Sequence, residues 1–158
     1  MTAIRICFVL ILTLAAAGCS VEDTLIFEVP VNDTTALAID SDRGYVIVRV
    51  DPDADAVTVT VMKHGLVSKA SLTVAEEESF IGLDADSTDP DAFVDLEVTL
   101  PEGLSITIDA HEGPVWVFGA RDGIDAATSE GDLTVGLAPD EGADLIADGD
   151  VSINVGLT

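Results

Sequence analysis

The sequence predicts an all-β protein: a short β-solenoid (parallel β-helix-like, 18–20 residues per turn) with an adjoining β-meander. Three observations carry this. Apolar side chains alternate at period two along most of the chain, with turn residues every 8–12 positions. No window holds a convincing helical period. In the last third, pairs made of an acid followed by glycine return at a fixed spacing.

The first eighteen residues stand apart. Arg5 is their one charged side chain, an apolar run follows from Ile6 to Leu14, and Ala15-Ala16-Ala17-Gly18 closes it. A positive start, a short apolar stretch and small residues make a secretory signal. Ile6 to Gly18 is 13 residues, about 20 Å of helix, less than a bilayer span requires. Ala16-Ala17-Gly18-Cys19 resembles the lipobox of bacterial and archaeal lipoproteins, with Ala16 where Leu is commonest. That resemblance implies cleavage before Cys19 and lipid on its thiol, with palmitate-type acyl chains. Two chains anchor stably, at about 0.8 kcal/mol per buried methylene, where one binds reversibly. Cys7 lies in the discarded segment, so the mature chain has one cysteine and no internal disulfide. The expected organisation is residues 1–18 as signal peptide, 19–24 as lipidated cysteine and tether, and 25–158 as a single acidic domain. The expected location is outside the cytoplasm, lipid-anchored to the cell membrane or outer membrane.

The domain is expected to begin with the strand Leu25–Val29, ended by Pro30. Gly44 then sits between Leu37 and Ile39 before it and Val46 and Val48 after it. Residues 51–100 break this template. Ala56–Met62, Ala70–Ala75, Phe80–Leu83 and Phe93–Leu100 look like strands of a meander, and Asp84–Asp91 like an exposed loop.

Beyond residue 100 the repeat is plain. Gly113, Gly131 and Gly149 are spaced by 18 and 18, and Gly103, Gly123 and Gly142 by 20 and 19. Each is preceded by Asp or Glu. Val115 and Val117, Leu133 and Val135, and Val151 and Ile153 follow the first series in phase. Ile106 and Ile108, Ile124 and Ala126, then Ala143, Leu145 and Ala147 supply the other strand of each unit. Two strands and two corners per repeat suggest turns stacked on their apolar faces. An antiparallel sandwich with coincidental spacing is the alternative.

Phe27, the Ile39–Val50 unit around Gly44, the Val98–Ile106 segment with Pro101-Glu102-Gly103, and the later acid-Gly corners resemble a family of bacterial and archaeal β-strand-repeat domains. That family is described as "putative adhesins" of unknown function. The resemblance covers roughly residues 25–158. It implies a β-solenoid in a cell-envelope setting and no particular ligand.

Charge limits the partners. The chain has 30 acids against six lysines and arginines, a formal −24. Removing residues 1–18 leaves five cations (Arg43, Arg49, Lys63, Lys69 and Arg121) against all 30 acids, hence −25. Nucleic acid is excluded as a partner, because binding it depends on Lys and Arg at the phosphates. An anionic membrane repels such a domain, which leaves the lipid on Cys19 to hold it. The surface suits high salt. The chain is 48% hydrophobic, well above a disordered composition.

Candidate sites are few. Stacked units would align Glu112, Glu130 and Asp148 in one column and Asp132 with Asp150 in another. Solvated corners and a Ca²⁺ site are both open readings there. Asp51-Pro-Asp53-Ala-Asp55 starts like a calcium loop but has Ala56 at position six and Met62 at position twelve. His64 and His111 read as surface histidines, and Lys63, His64 and Lys69 as the one basic neighbourhood. Trp116 and Phe118 point away from Val115 and Val117, to be covered by residues 51–100 or exposed as a glycan or protein patch. No GxSxG, Walker loop, CxxC or HExxH occurs. The expected function is a non-catalytic envelope lipoprotein displaying its domain for adhesion or surface structure, with no cofactor and an envelope protein or glycan as partner. A Ca²⁺-dependent binding module and, remotely, a glycan-processing enzyme are the alternatives.

Overall fold

A computed structural model describes residues 21–31, 34–77, 79–120, 123–137, 143–147 and 149–155. The alternating segments form strands β1 (Val21–Pro30), β2 (Ala36–Arg43), β3 (Val46–Val50), β4 (Ala56–His64), β5 (Ala70–Glu77), β6 (Phe80–Ser87), β7 (Phe93–Leu100), β8 (Ser105–Glu112), β9 (Val115–Ala120), β10 (Ile124–Glu130), β11 (Leu133–Leu137), β12 (Ala143–Ala147) and β13 (Val151–Val155). One 3-10 turn, Val67–Lys69, precedes β5. The all-β expectation holds among the described residues.

The strands make two sheets. One runs β1-β4-β7-β3-β9-β11-β13 and the other β12-β10-β8-β2-β6-β5. The pairs that β2, β3 and β6 to β13 make among themselves are parallel, so each successive pair such as β8 and β9 places one strand in either sheet. Apolar side chains of like kind meet in register. Ile81, Leu37, Ile106 and Ile124 form one row, and Leu96, Val46, Val115 and Leu133 face it from the other sheet. All eight are buried in one continuous cluster, each contributing roughly 1.5–3 kcal/mol relative to exposure. A slip of one residue would turn the whole row outward, which fixes the register. The 18-residue spacing of the glycines is the offset between β9 and β11 and between β11 and β13, as in Val115↔Leu133↔Val151.

The glycines of the two series do different work. Gly44 (φ +121°) and Gly113 (φ +134°) turn the chain from one sheet to the other with backbones in close contact. A Cβ on Gly113 would overlap the Gly44 carbonyl, and one on Gly131 would overlap the Gly113 carbonyl. The Gly44 N–H donates to Glu112 O (3.0 Å) and the Gly113 N–H to Glu130 O (2.7 Å). Glycine here allows both the positive φ and the approach. At Gly123, by contrast, a Cβ would meet open space.

Three expectations are corrected. Residues 51–100 are not a meander: β6 and β7 pair in parallel with β2 and β3, and only β4 and β5 join antiparallel. The reason is that Ile81, Leu83 and Ala85 keep the phase of Leu37, Ile39 and Ser41. The loop expected at Asp84–Asp91 is shorter, because Ala85 is buried and carries β6 on to Ser87. The strand expected at Leu25 starts at Val21, so Val21, Asp23 and Thr24, expected as tether, pair with β4 instead. The β2–β3 unit lies between β6–β7 and β8–β9.

Candidate functional site: the outer face of the seven-stranded sheet

Alternation leaves every second side chain of β3, β7 and β9 on the solvent side, Trp116 and Phe118 among them. Ile47 lies at the centre of a cluster there, opposite Glu97 on one neighbouring strand and Trp116 on the other. Tyr45 and Arg49 flank it two residues away on either side. The Tyr45 ring meets Trp116 edge-on, with centroids 6.1 Å apart and planes at 66°. Its hydroxyl lies 3.3 Å from Glu97 Oε1, to which it donates, and 3.7 Å from Met62 Sδ. Arg49 Nη1 lies 3.7 Å from Glu97 Oε2, and the Arg49 guanidinium sits 5.8 Å from the Phe118 ring centroid. Burial, then Asp95 and Glu97, push the Tyr45 phenol up to about 12, so it stays a proton donor at physiological pH.

Beside this cluster lies a buried polar pair. Asp95, 5% exposed, accepts the Tyr45 N–H at Oδ1 (2.9 Å), and its Oδ2 lies 2.8 Å from His64 Nε2. His64 stacks on Phe93 with centroids 4.3 Å apart and planes 11° from parallel. Burial raises the Asp95 carboxyl above its ordinary value, partly offset by the Tyr45 N–H and by His64. The expectation of two surface histidines is therefore corrected for His64, whose side chain is 12% exposed. His111 is exposed.

Trp116 is half-buried, with Tyr45 against its ring, and Phe118 is 42% exposed. Residues 51–100 do not cover Phe118. The surrounding positions Thr58, Thr60, Thr99 and Thr134 are half-buried and uncharged. Among the described residues of β1, β3, β4, β7 and β9, the acids in outward phase are Glu28, Glu97 and the buried Asp95.

The opposite face contrasts sharply. Asp84, Asp40 and Asp109 lie in register across β6, β2 and β8, at the roughly 4.8 Å strand spacing. Asp42, Asp86 and Asp125 lie on the same outer side. Burial, then Asp84, Asp109, Asp42 and Asp86, raise the Asp40 carboxyl. The sequence carries the pattern as Ile39-Asp40, Leu83-Asp84 and Ile108-Asp109, each a branched aliphatic residue followed by Asp in strand phase.

The corner acids are brought together as expected in part. Glu130 lies opposite Glu112. On its other side Glu112 meets Arg43, whose Nε and Nη2 lie 2.5 and 3.2 Å from the two carboxylate oxygens. That fork holds the Glu112 carboxyl below its ordinary range. Asp132 Oδ1 accepts the Asp150 N–H (3.0 Å). Asp51 Oδ1 accepts the Asp53 N–H in a turn, and Ala56–Met62 belong to β4 rather than to a calcium loop. Among the described residues no three His, Cys, Asp or Glu side chains gather so as to hold a metal ion. Residues 1–18, Cys19, Arg121 and Asp148 lie outside the described residues. No helix among the described residues is long and apolar enough to cross a membrane.

The chain is similar in structure to proteins described as putative adhesins. A "putative cell adhesion protein" from Clostridium sporogenes is 12% identical, with 84% of this chain and 98% of that one covered, at a TM-score of 0.49. A "putative adhesin" from Parabacteroides distasonis is 16% identical over 84% of this chain and 65% of that one, at 0.44. Another from Bacteroides fragilis is 11% identical over 85% and 98%, at 0.36. No protein-family model and no curated protein matches the sequence.

Proposed function

We propose that this chain is a non-catalytic cell-envelope lipoprotein. Residues 1–18 direct export and are removed, and lipid on Cys19 anchors the product to the cell membrane or outer membrane. The parallel stack of two-strand units then serves as a short β-solenoid that displays an adhesive or structural face. The observation that carries the reading is the cluster around Ile47. In a chain of formal charge −24, Tyr45, Trp116, Phe118 and the neighbouring threonines form a face of low charge, while aspartates crowd the other side. Exposed aromatic surface rimmed by polar groups is where partners bind. Ring faces and hydroxyls suit an uncharged envelope glycan, and Glu97 and Arg49 supply an acceptor and a donor for its hydroxyls.

The test is binding of residues 20–158 to purified neutral envelope polysaccharide, compared with Phe118→Ala and Trp116→Ala. Each substitution is expected to weaken binding about tenfold, roughly 1.4 kcal/mol, with the melting temperature of Phe118→Ala unchanged. Equal binding by all three proteins would remove the face from the proposal.

A further inference from the structure

We propose that the loop Gly65–Lys69 is seated on the phospholipid headgroups and that the stack stands up from the membrane with its β13 end outermost. This rests on lipid at Cys19, the reading given above.

The argument begins with reach. Strand β1 starts at Val21, which pairs with His64. Two peptide units separate Cys19 from Val21, and a chain spans at most about 3.6 Å per residue. The backbone of Val21 is thus held within about 7 Å of the lipidated residue.

Topology then decides what lies nearest. β1 is the edge of the seven-stranded sheet and runs antiparallel to β4. The end of β4 is therefore at the membrane end of β1, and Gly65–Lys69 starts there. Leu66 is 56% exposed, and Ser68 and Lys69 are exposed as well. Lys63 lies opposite Asp23 on β1. Both lysines of the mature chain are at this end. Asp89 and Asp91 are close too: the Lys69 carbonyl accepts the Thr88 N–H, and a Cβ on Gly65 would overlap the Asp91 carbonyl. The attraction is accordingly mixed, with Leu66 as the apolar contact and Lys69 as the phosphate contact.

Charge at the other end completes the orientation. Glu112, Glu130, Asp132 and Asp150 lie at corners of the same edge, progressively farther from β1. β9 is four strand spacings from β1, about 19 Å, against a screening length of roughly 8 Å at physiological salt. Lying flat would bring these carboxylates onto a negative surface. Standing on the β1 end keeps them outside its field.

The test uses the lipidated mature chain with Leu66→Cys, whose thiol is its one free cysteine, and separately with Ile146→Cys. Ile146 is 64% exposed on β12, at the far end. Each is labelled with a solvent-sensitive fluorophore in vesicles of phosphatidylcholine with a minority of phosphatidylglycerol. Headgroup-quencher lipids are then added. The label at 66 is expected to blue-shift and to be quenched several-fold more than the label at 146. Equal quenching on protein whose mass shows the lipid overturns the seating alone. A mass without lipid overturns the anchor, and this arrangement with it.

Discussion

Gly113 packs so tightly beneath Gly44 that a Cβ on Gly113 would overlap the Gly44 carbonyl. The contact locks β8–β9 onto β2–β3 at their shared corner. Gly113→Ala must separate the two units, at a cost of about 2 kcal/mol or more from overpacking and positive φ. Gly123→Ala meets open space and should change stability by less than about 1 kcal/mol in either direction. Urea unfolding of the two variants checks this, and equal losses would contradict the distinction between the two glycine series.

Asp95 supplies a pH prediction. Burial raises its folded carboxyl pKa above the unfolded value. Its contribution to stability is therefore full below the unfolded value, near 3.8, and lost as pH rises through the folded one. Asn at position 95 retains an oxygen acceptor for the Tyr45 N–H but does not ionise. The melting temperature of Asp95→Asn, measured relative to the parent, is expected to increase as pH climbs from 4 to neutral. A decrease would mean that pairing with His64 outweighs desolvation.

The Asp84–Asp40–Asp109 row should make stability depend on salt. The Asp40 carboxyl is raised by burial and then by its four aspartate neighbours, so its ionisation works against the fold as pH rises. Asp40→Asn is expected to raise the melting temperature at neutral pH and low ionic strength. The part due to the neighbouring charges should shrink near 1 M NaCl, where the screening length is about 3 Å. An identical gain at both salt levels would assign the whole effect to burial.

Cys19→Ser should release the protein from the membrane fraction into the periplasm or medium. Fractionation of cells expressing both forms reads this directly. Retention of the variant in the membrane would refute the anchor.

Much of the fold was legible because each parallel unit repeats the same pattern. Ile106 and Ile124 meet in register with the phase that their distances from Gly113 and Gly131 imply. The parallel pairing of β6–β7 is not legible because its corner has no acid-Gly pair: Thr88–Ala92 turns the chain there, and the phase is carried by Ile81, Leu83 and Ala85 with Leu96 and Val98 alone. The position of β2–β3 in mid-stack was not legible, since alternation specifies which face is buried and not which strand lies beside it. The site was legible only through Trp116 and Phe118. Tyr45 and Asp95 lie far apart in sequence, and a hydrogen bond between a backbone N–H and a distant carboxylate leaves no periodic trace. His64 read as a surface residue because its partner, Asp95, comes from another strand.

The placement of β2–β3 between later strands also governs when the molecule can form. β2 waits for β6 and β8, and β3 waits for β7 and β9. Neither has a neighbour made before it, so the middle of the core stays unsatisfied until residue 118 is available. Pairings this distant close slowly, on the millisecond-to-second scale of β-rich topologies. A chain that delays its own closure remains threadable, which is what the proposed export would demand of it before the domain sets.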